Sequence, residues 1–356
     1  ADSEIKLSYK AESQTIAANS LGYTLCSKPE KDTKETVILS LSLNDVVYEQ
    51  PLTVTLLSSA KGVDADKLLN NIAKQFAESD SDYWKTVIVS AYHKYFGGEE
   101  LTEEARTGFV KNAVRSIAET DEDTTLAMNI IALRSLGYDP ARITAEDGTQ
   151  SNAVEKLAAS QSTGNNGDAY RLLAYKMCGY ENQSDTERVI SRLLTNQIDN
   201  NGWSSGNDDS VDGDTTGAVL LGLSAYYNTS PAVKSAVDGA VAYLSSLVQP
   251  DGNIKSSYKQ SNYGTNANTS AICAIGLEAL GIDIKSDERF KKNSVSLFDG
   301  IMSFVSEDES GFVYEYTSAE PNDLATKQAA LAVMAAEKKG NIFDFSDMPN
   351  RAINLQ

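Results

Sequence analysis

The feature that most constrains this chain is a helix pattern that recurs six times. In each copy a polar residue opens an Ala- and Leu-rich segment, and several copies end near glycine. Asp or Asn caps the free N–H groups of a first helical turn, and Gly allows the chain to turn at the end. Equivalent markers recur in steps of 40 to 56 residues, at Trp84, Thr124, Asp168, Thr215, Thr269 and Ala325.

More charged, amphipathic segments separate these apolar ones. They are predicted as helices at 65–79, 101–119, 150–160, 184–198, 232–249 and 288–306. Repeats of this length indicate stacked or closed helical arrays. The first and last apolar helices have no polar outer face, which favours closure over an open solenoid. We therefore predict a mainly α fold, an α6/α6 toroid of six helical hairpins.

The first 58 residues have a different period. Ile5, Leu7 and Tyr9 alternate with polar residues, and the pattern returns later in this segment, which is typical of half-buried antiparallel strands. We predict a small N-terminal β-sandwich fragment at 1–60, the toroid at 61–345, and a C-terminal tail or linker at 346–356.

Charge and composition narrow the partners. The chain of 356 residues carries 50 acidic and 31 basic residues, a net charge of −19, which disfavours nucleic acid and anionic membranes. No apolar run is long enough to span a bilayer. Three separated cysteines and a lone histidine, His93, give no usual zinc site. The expected partner is a small molecule, a glycan or a protein.

Six parallel inner helices would begin at one end of the ring, here called the mouth. A concave mouth with aromatic walls and a few polar groups is the default ligand site. Any single Asp or Asn there also serves as a helix cap, and an aromatic residue as a loop closure. The predicted ligand-binding residues are Trp84, Asp168, Trp203, Asp212, Tyr258, Tyr263, Tyr314 and Tyr316.

One loop partly matches a calcium site. Asp208, Ser210 and Asp212, followed by Gly213, fit positions one, three, five and six of a calcium loop. The twelfth position should be Glu and is Val219. No cofactor is therefore expected, with calcium as the alternative.

The segment from Gln197 to Trp203, followed by Asp214-Thr215-Thr216-Gly217-Ala218, resembles the prenyltransferase and squalene-cyclase repeat. The resemblance covers about 64–340 and implies a terpenoid cyclase-like α/α toroid. The N-terminal strands resemble the end of a bacterial immunoglobulin-like domain. This pairing is similar to multidomain surface proteins of Gram-positive bacteria, which implies an extracellular or cell-surface location.

The resemblance is weaker for activity. It places Asp214 at the acid that class II cyclases use to protonate their substrate, but Thr215 replaces the last Asp of that motif. As an expected helix cap, Asp214 should have a lowered pKa. Protein prenyltransferases need a zinc site of Asp, Cys and His, and His93 has no such companions. Complement-type thioester domains need a Gly-Cys-Gly-Glu-Gln motif, and this motif is absent from the sequence.

Three hypotheses remain open. The favoured one is a noncatalytic ligand-binding or adhesion module, which predicts a mouth without metal and without an acid of raised pKa. A terpenoid cyclase-like enzyme would have a deep apolar channel with Asp214 pointing into it. A carbohydrate-active toroid would need two carboxylates across the mouth. The candidates are Asp121, Asp168, Asp208 and Asp212, with Trp84 and Trp203 as sugar platforms.

Overall fold

The computed structural model describes residues 5–11, 16–19, 22–25, 33–43, 46–56, 62–161, 164–199, 201–205, 210–256 and 264–356. The first of these form an antiparallel three-stranded sheet in the order β1, β4, β5, and a separate hairpin of β2 and β3. Their bounds are β1 Ile5–Ala11, β2 Ile16–Asn19, β3 Gly22–Leu25, β4 Thr33–Leu43 and β5 Val46–Leu56. These strands do not by themselves establish the predicted sandwich.

Twelve α-helices follow in the described part of the chain. The even-numbered ones form an inner layer: α2 Tyr83–Phe96, α4 Asp123–Ser135, α6 Asn165–Cys178, α8 Gly213–Leu223, α10 Ala267–Ala279 and α12 Asp323–Lys338. The odd-numbered ones form an outer layer: α1 Ala65–Ala77, α3 Glu103–Glu119, α5 Ala153–Ala159, α7 Gln183–Thr195, α9 Pro231–Ser246 and α11 Leu297–Met302.

The inner helices form a closed ring. Each packs against the next in chain order, and α12 packs against α2. At this junction the Nζ of Lys327 donates to a carboxylate oxygen of Asp82, 2.6 Å away, and also to Asp323. The predicted α/α toroid is therefore confirmed.

Glycines allow close contacts between inner helices of the ring. A Cβ added to Gly217 in α8 would lie 2.7 Å from the backbone of Ile272 and Cys273 in α10. Only a residue without a side chain permits this approach. The thiol of Cys273 donates to the carbonyl of Gly213, which ties the start of α8 to the same helix.

The repeat has a hydrogen-bond signature that its sequence only hints at. The fourth residues of α8, α10 and α12 are Thr216, Ser270 and Thr326, and each hydroxyl accepts a backbone N–H from the loop before its helix. The donors are the N–H groups of Trp203, Ile254 and Phe312, at 3.1, 3.2 and 2.9 Å. The same type of hydrogen bond therefore holds three loops against the first turns of three inner helices.

The last outer helix is shorter than predicted. The sequence pattern predicted a helix over 288–306, whereas α11 spans Leu297–Met302. A 3₁₀ turn at Glu288–Phe290 and a small hairpin come first, its strands being β8 Lys291–Lys292 and β9 Val295–Ser296. Asn293 and Ser294 at the hairpin tip have positive φ, which no helix allows.

The C-terminal segment, predicted as a tail or linker, packs onto the toroid. Strand β10, Arg351–Asn354, pairs in parallel with β6, Tyr138–Thr144, and β7, Gln150–Ser151, extends that sheet. The buried guanidinium of Arg134 donates to the carbonyls of Pro349 and Met348.

Candidate functional site at the mouth of the ring

The helix caps fall one or two residues earlier than the sequence pattern suggested. Asp212, not Asp214, caps α8, and its carboxylate accepts the N–H of Thr215 at 3.0 Å. Asn266 and Asn322 likewise cap α10 and α12. Asp214, which the sequence pattern predicted as a cap, therefore lies inside the first turn of α8, where its side chain can make other contacts.

All six inner helices begin at the same end of the ring. Gly167 in α6 lies against Asp123 in α4, and Asn166 donates to Thr215 in α8. The start of α8 also contacts Thr269 in α10. We name the second residues of these helices the rim residues, because they occupy equivalent positions around the mouth: Trp84, Thr124, Asn166, Asp214, Asn268 and Leu324.

A ring–ring contact shows which way this position faces. Trp84 of α2 meets Tyr170 of α6 edge to face, with ring centroids 6.2 Å apart, although α4 stands between these helices in the ring. The contact therefore passes on the inner side of α4, toward the axis of the ring. Tyr170 lies four residues after the rim residue Asn166, so it shares that helix face one turn deeper. We name this deeper set the floor residues: Ile88, Met128, Tyr170, Ala218, Ile272 and Gln328.

The rim and floor bring an acid against aromatic rings. Asp214 is half-buried as a residue, and its charge contributes to the raised pKa of Tyr170, which arises mainly from burial. Burial raises the pKa of Asp214 to about 6, and the negative charge of Asp212 adds to the effect. A hydrogen bond from Thr269 opposes it. The prediction that Asp214 has a lowered pKa is therefore wrong, because Asp214 is not the cap.

Three oxygens at the mouth end of the ring are buried without a hydrogen-bond donor among the described residues: Asp214 Oδ1, Asn268 Oδ1 and Gln328 Oε1. They belong to rim or floor positions on three consecutive inner helices. A buried acceptor without a partner is costly, and such groups are rare in native proteins. The arrangement is suited to a ligand that brings donors.

A cleft of about 420 Å³ opens beside the mouth, between α2, α3 and α4. Its lining is rich in hydroxyl and amide groups, and the half-buried ring of Tyr83 forms part of its wall. Tyr83 precedes the rim residue Trp84 and lies 5.9 Å from it between ring centroids. The cleft and the mouth therefore share one aromatic edge.

Two predicted ligand residues are enclosed by the protein. The indole N–H of Trp203 donates to the carbonyl of Leu193 at 2.6 Å, and the side chain is fully buried. Asp168 is also buried, and both its oxygens accept from Arg192 of α7. The structure thus leaves no open face of Trp203 for a sugar and no open oxygen of Asp168 for a ligand.

The remaining predicted residues fall into two groups. The hydroxyl of Tyr316 donates to Asp251 at 2.9 Å and accepts from Asn253, and these hydrogen bonds join two loops. Tyr314 is half-buried, and its backbone carbonyl accepts from the N–H of Ala267. Tyr258, Tyr263 and Asp208 lie outside the described residues.

The predicted calcium loop is therefore described only in part. Asp212 uses one oxygen to hold both the N–H and the hydroxyl of Thr215. Within the described ranges, no group of three or more His, Cys, Asp or Glu residues could hold a metal ion. No described helix is long and apolar enough to cross a membrane.

Sequence reasoning found Trp84 and Asp214 but missed Tyr170, Asn268 and Gln328. A tyrosine or glutamine inside an apolar helix gives no signal of its own. The signal that would have found them is positional, since each lies at the second or sixth residue of an inner helix. This positional signal can be used only when the N-cap residue of each inner helix has been identified correctly.

The fold matches known structures, although no family model and no curated protein matches the sequence. A solved polysaccharide lyase aligns with a TM-score of 0.52 at 11% identity, covering 77% of this chain and 96% of the lyase. A possible GH105 family member from Salmonella enterica aligns at 0.48 and 10% identity, covering 80% and 96%. Native alpha-2-macroglobulin from Escherichia coli, from domain MG7 to its C-terminus, aligns at 0.42 and 11% identity, covering 94% and 60%.

These findings correct the favoured functional hypothesis. A noncatalytic module was expected to have no acid of raised pKa at its mouth, whereas Asp214 is such an acid. The α/α toroid is moreover shared with a polysaccharide lyase, a carbohydrate-active enzyme. The prediction of a noncatalytic binding or adhesion module is therefore wrong. The twelve rim and floor residues include one tryptophan and no phenylalanine, unlike the aromatic channel expected of a terpenoid cyclase.

Proposed function

We propose that this protein is a carbohydrate-active toroid that binds a glycan at its mouth and acts on it with Asp214 as the acid. The observation that carries the proposal is the position of Asp214, a carboxylic acid with a pKa of about 6 whose charge acts on Tyr170, the ring that meets Trp84 edge to face. Sugar rings stack on aromatic side chains, and cleavage of a glycosidic bond needs an acid that still holds its proton near neutral pH.

Each group has a chemical role in this proposal. Asp214 donates its proton to the glycosidic oxygen as the bond from that oxygen to the anomeric carbon breaks, and water then adds to the anomeric carbon and returns a proton to Asp214. Asp212, whose negative charge acts on Asp214, stabilises the positive charge that develops on the sugar. The half-buried ring of Tyr83, which lies beside Trp84, holds a sugar ring, and the cleft beside Tyr83 receives the neighbouring sugar.

The test is depolymerisation of mannan, xylan, chitosan and polygalacturonate, followed through the release of reducing ends. We expect turnover of at least one polymer, with a rate that declines as the pH rises through 6. Asp214→Asn should reduce that rate about 10²- to 10⁴-fold. Glu187→Gln, the same chemical change on the exposed face of outer helix α7, should leave it unaltered. Absence of turnover of all four polymers, or full activity in Asp214→Asn, would contradict the proposal.

The finer architecture is also a proposal. The alternation of outer and inner helices supports six hairpins of the prenyltransferase and squalene-cyclase repeat. The N-terminal strands are proposed as the end of an immunoglobulin-like domain, with boundaries near residues 60 and 345. A glycan partner fits the predicted extracellular or cell-surface location, and immunodetection on intact cells would test that location.

Calcium at Asp208, Ser210 and Asp212 stays a prediction. It is tested by thermal unfolding in calcium and in a chelator, with Ser210→Ala as the matched variant. A calcium-dependent increase in the unfolding temperature that the variant loses would support the site.

A further inference from the structure

We infer that the protein holds an extended glycan chain in a groove along helix α3, with the cleft beside the mouth and a larger outer cleft as consecutive parts of one site. The inference rests on the proposed function for the identity of its occupant, a glycan. Three observations carry it: the two clefts meet, one face of α3 stays open along both, and each cleft has an aromatic ring in its wall.

The two clefts are neighbours that share part of their lining. The outer cleft lies between α1, α2 and α3 and has a volume of about 580 Å³. Ser81, Phe109 and Asn112 line both this cleft and the cleft of about 420 Å³ beside the mouth. At the junction the amide of Asn112 donates to the hydroxyl of Ser81, 2.8 Å away. A chain that fills the cleft beside the mouth can therefore continue past Asn112 into the outer cleft.

One face of α3 forms a wall of the whole groove. The lining residues of this helix recur every three or four positions, as residues on one helix face do: Ala105, Gly108, Asn112, Ser116 and the C-cap residue Thr120. The first three line the outer cleft, and the last three line the cleft beside the mouth. At a rise of 1.5 Å per residue, the wall from Ala105 to Thr120 is about 22 Å long. This length suits several consecutive sugar units rather than a single one.

Gly108 keeps the wall of the outer cleft open. A Cβ added at Gly108 would meet nothing within 4 Å, so packing against a neighbouring element does not require a glycine there. Glycine in the interior of a helix is less stable than alanine, because it loses more conformational freedom on folding. Its use at such a position is to let a ligand approach the backbone closely. A larger side chain at Gly108 would instead occupy the space of the outer cleft.

An aromatic ring lies in the wall of each cleft. The half-buried ring of Tyr83 lines the cleft beside the mouth, and the half-buried ring of Tyr92, also in α2, lines the outer cleft. Tyr92 is held in place, because its ring stacks on Phe96 with centroids 5.8 Å apart and lies against Gly98. A concave site with fixed aromatic walls and a few polar groups suits the faces and hydroxyls of sugar rings.

The charges around the outer cleft indicate the kind of chain. Among the described residues that line it, the charged side chains are five carboxylates and one ammonium group: Glu78, Asp80, Glu99, Glu100, Glu104 and Lys74. In the described ion pairs, Lys74 matches Glu99 and Arg106 matches Glu100. The lining therefore keeps an excess of negative charge, which attracts cations. A chain whose sugars carry amino groups, such as a glucosamine polymer, suits this lining better than a uronate chain.

Binding of glucosamine oligomers, measured by titration calorimetry, tests the inference. The dimer fits within the cleft beside the mouth, whereas the hexamer also reaches the outer cleft. We expect the hexamer to bind at least about 10-fold tighter than the dimer. A hexamer that binds no tighter than the dimer, or does not bind while another polymer is depolymerised, would overturn the inference and leave the proposed function standing.

The proposed function fails in a different way. If none of the four polymers is depolymerised and neither oligomer binds, the proposed function fails, and the inference with it. If the hexamer binds tighter than the dimer without any turnover, the groove is supported and only the proposed catalytic role of Asp214 is contradicted.

Gly108→Leu separates the outer cleft from the mouth. Its side chain enters open space, so we expect the hexamer to bind about 10-fold more weakly, with no change in dimer affinity and no fall in the unfolding temperature. Thr107→Leu, at an exposed neighbouring position outside the lining of both clefts, is the matched control and should leave both affinities unchanged. Native affinity for the hexamer in folded Gly108→Leu would overturn the inference.

Tyr92→Leu gives a second readout, which does not depend on filling the cleft. Loss of the ring should weaken hexamer binding about 3- to 10-fold and leave dimer binding unchanged. An equal effect on both oligomers, or no effect on either, would contradict binding of the chain in the outer cleft.

Discussion

The indole ring of Trp84 and the phenol ring of Tyr170 meet at an interplanar angle of 85° on the inner side of the helical ring. Edge-to-face contact is a favoured geometry for aromatic pairs. Because the two residues lie on helices that are not neighbours in the ring, their contact fixes the direction in which the second and sixth residues of the inner helices point. The ligand site assigned here follows from that direction.

The two tryptophans should respond in opposite ways to the same substitution. Trp84→Phe should weaken glycan binding about tenfold with a small loss of stability, since a smaller ring still packs at the rim. Trp203→Phe should leave affinity intact but lower the free energy of unfolding by about 1–3 kcal/mol, because it leaves the carbonyl of Leu193 without its buried donor. Titration calorimetry of both variants measures the affinity for the glycan, and urea unfolding measures the free energy of unfolding.

Asp214→Asn should stabilise the protein in a pH-dependent manner. The folded pKa of about 6 lies above the ordinary carboxylate value, so the stability contributed by protonated Asp214 is complete below about pH 4 and is lost as pH rises through 6. The variant should therefore gain about 2–3 kcal/mol over the native protein between pH 4 and pH 7.5.

Urea unfolding at several pH values measures this gain. Glu187→Gln, on the surface of α7, should show a difference from the native protein that does not follow the same pH window. If the free energy of unfolding of Asp214→Asn differed from that of the native protein by the same amount at every pH, the pKa of Asp214 would not be raised.

Lys327→Met should loosen the closure of the ring. The side chain of Lys327 is nearly buried. It forms salt bridges with Asp82, the N-cap residue of α2, and with Asp323 of α12. Its loss leaves two partly exposed carboxylates facing each other, so we expect unfolding to become easier by about 1–2 kcal/mol, more at low salt than at high salt. Lys234→Met, which removes an exposed pair with Asp238 on α9, should have a much smaller effect in the same denaturation experiment.

Gly217→Ala tests the close approach of α8 and α10. The added methyl group would collide with the backbone of Ile272, which should destabilise the fold by about 1–3 kcal/mol. Gly108→Ala in outer helix α3 meets nothing within 4 Å and should stabilise by about 0.5–1 kcal/mol. Thermal unfolding of both variants gives the sign of the change in stability. A stabilising effect of Gly217→Ala would show that the backbones of α8 and α10 are farther apart.

The toroid was predictable because caps, apolar helix bodies and glycines recur at a regular spacing. That spacing also placed Trp84 and Asp214 at the mouth. Other features needed the structure: the segment over 288–306 has helical composition, yet the turn at Asn293 and Ser294 interrupts it. The docking of β10 on β6 depends on a contact between distant segments, which periodicity does not report.

The details of the mouth were harder to predict, because the chain offers two acids on either side of Gly213. Both Asp212 and Asp214 suit a cap by residue type, and only the geometry selects Asp212. The choice reverses the expected direction of the pKa shift of Asp214 and places Asp214 inside the first turn of α8. Trp203 was misleading for a related reason, because a loop tryptophan resembles a sugar platform until its indole N–H is found inside the core.

The separation of caps from rim residues also makes the mouth amenable to redesign. The caps and the Gly217 contact hold the helices together, whereas Thr124, Asn166 and Leu324 lie at rim positions and are neither N-cap residues nor part of the glycine contact. Exchanging them one at a time would create a family of toroids with the same scaffold and different sugar preferences, so that specificity could be evolved in a library of these three positions.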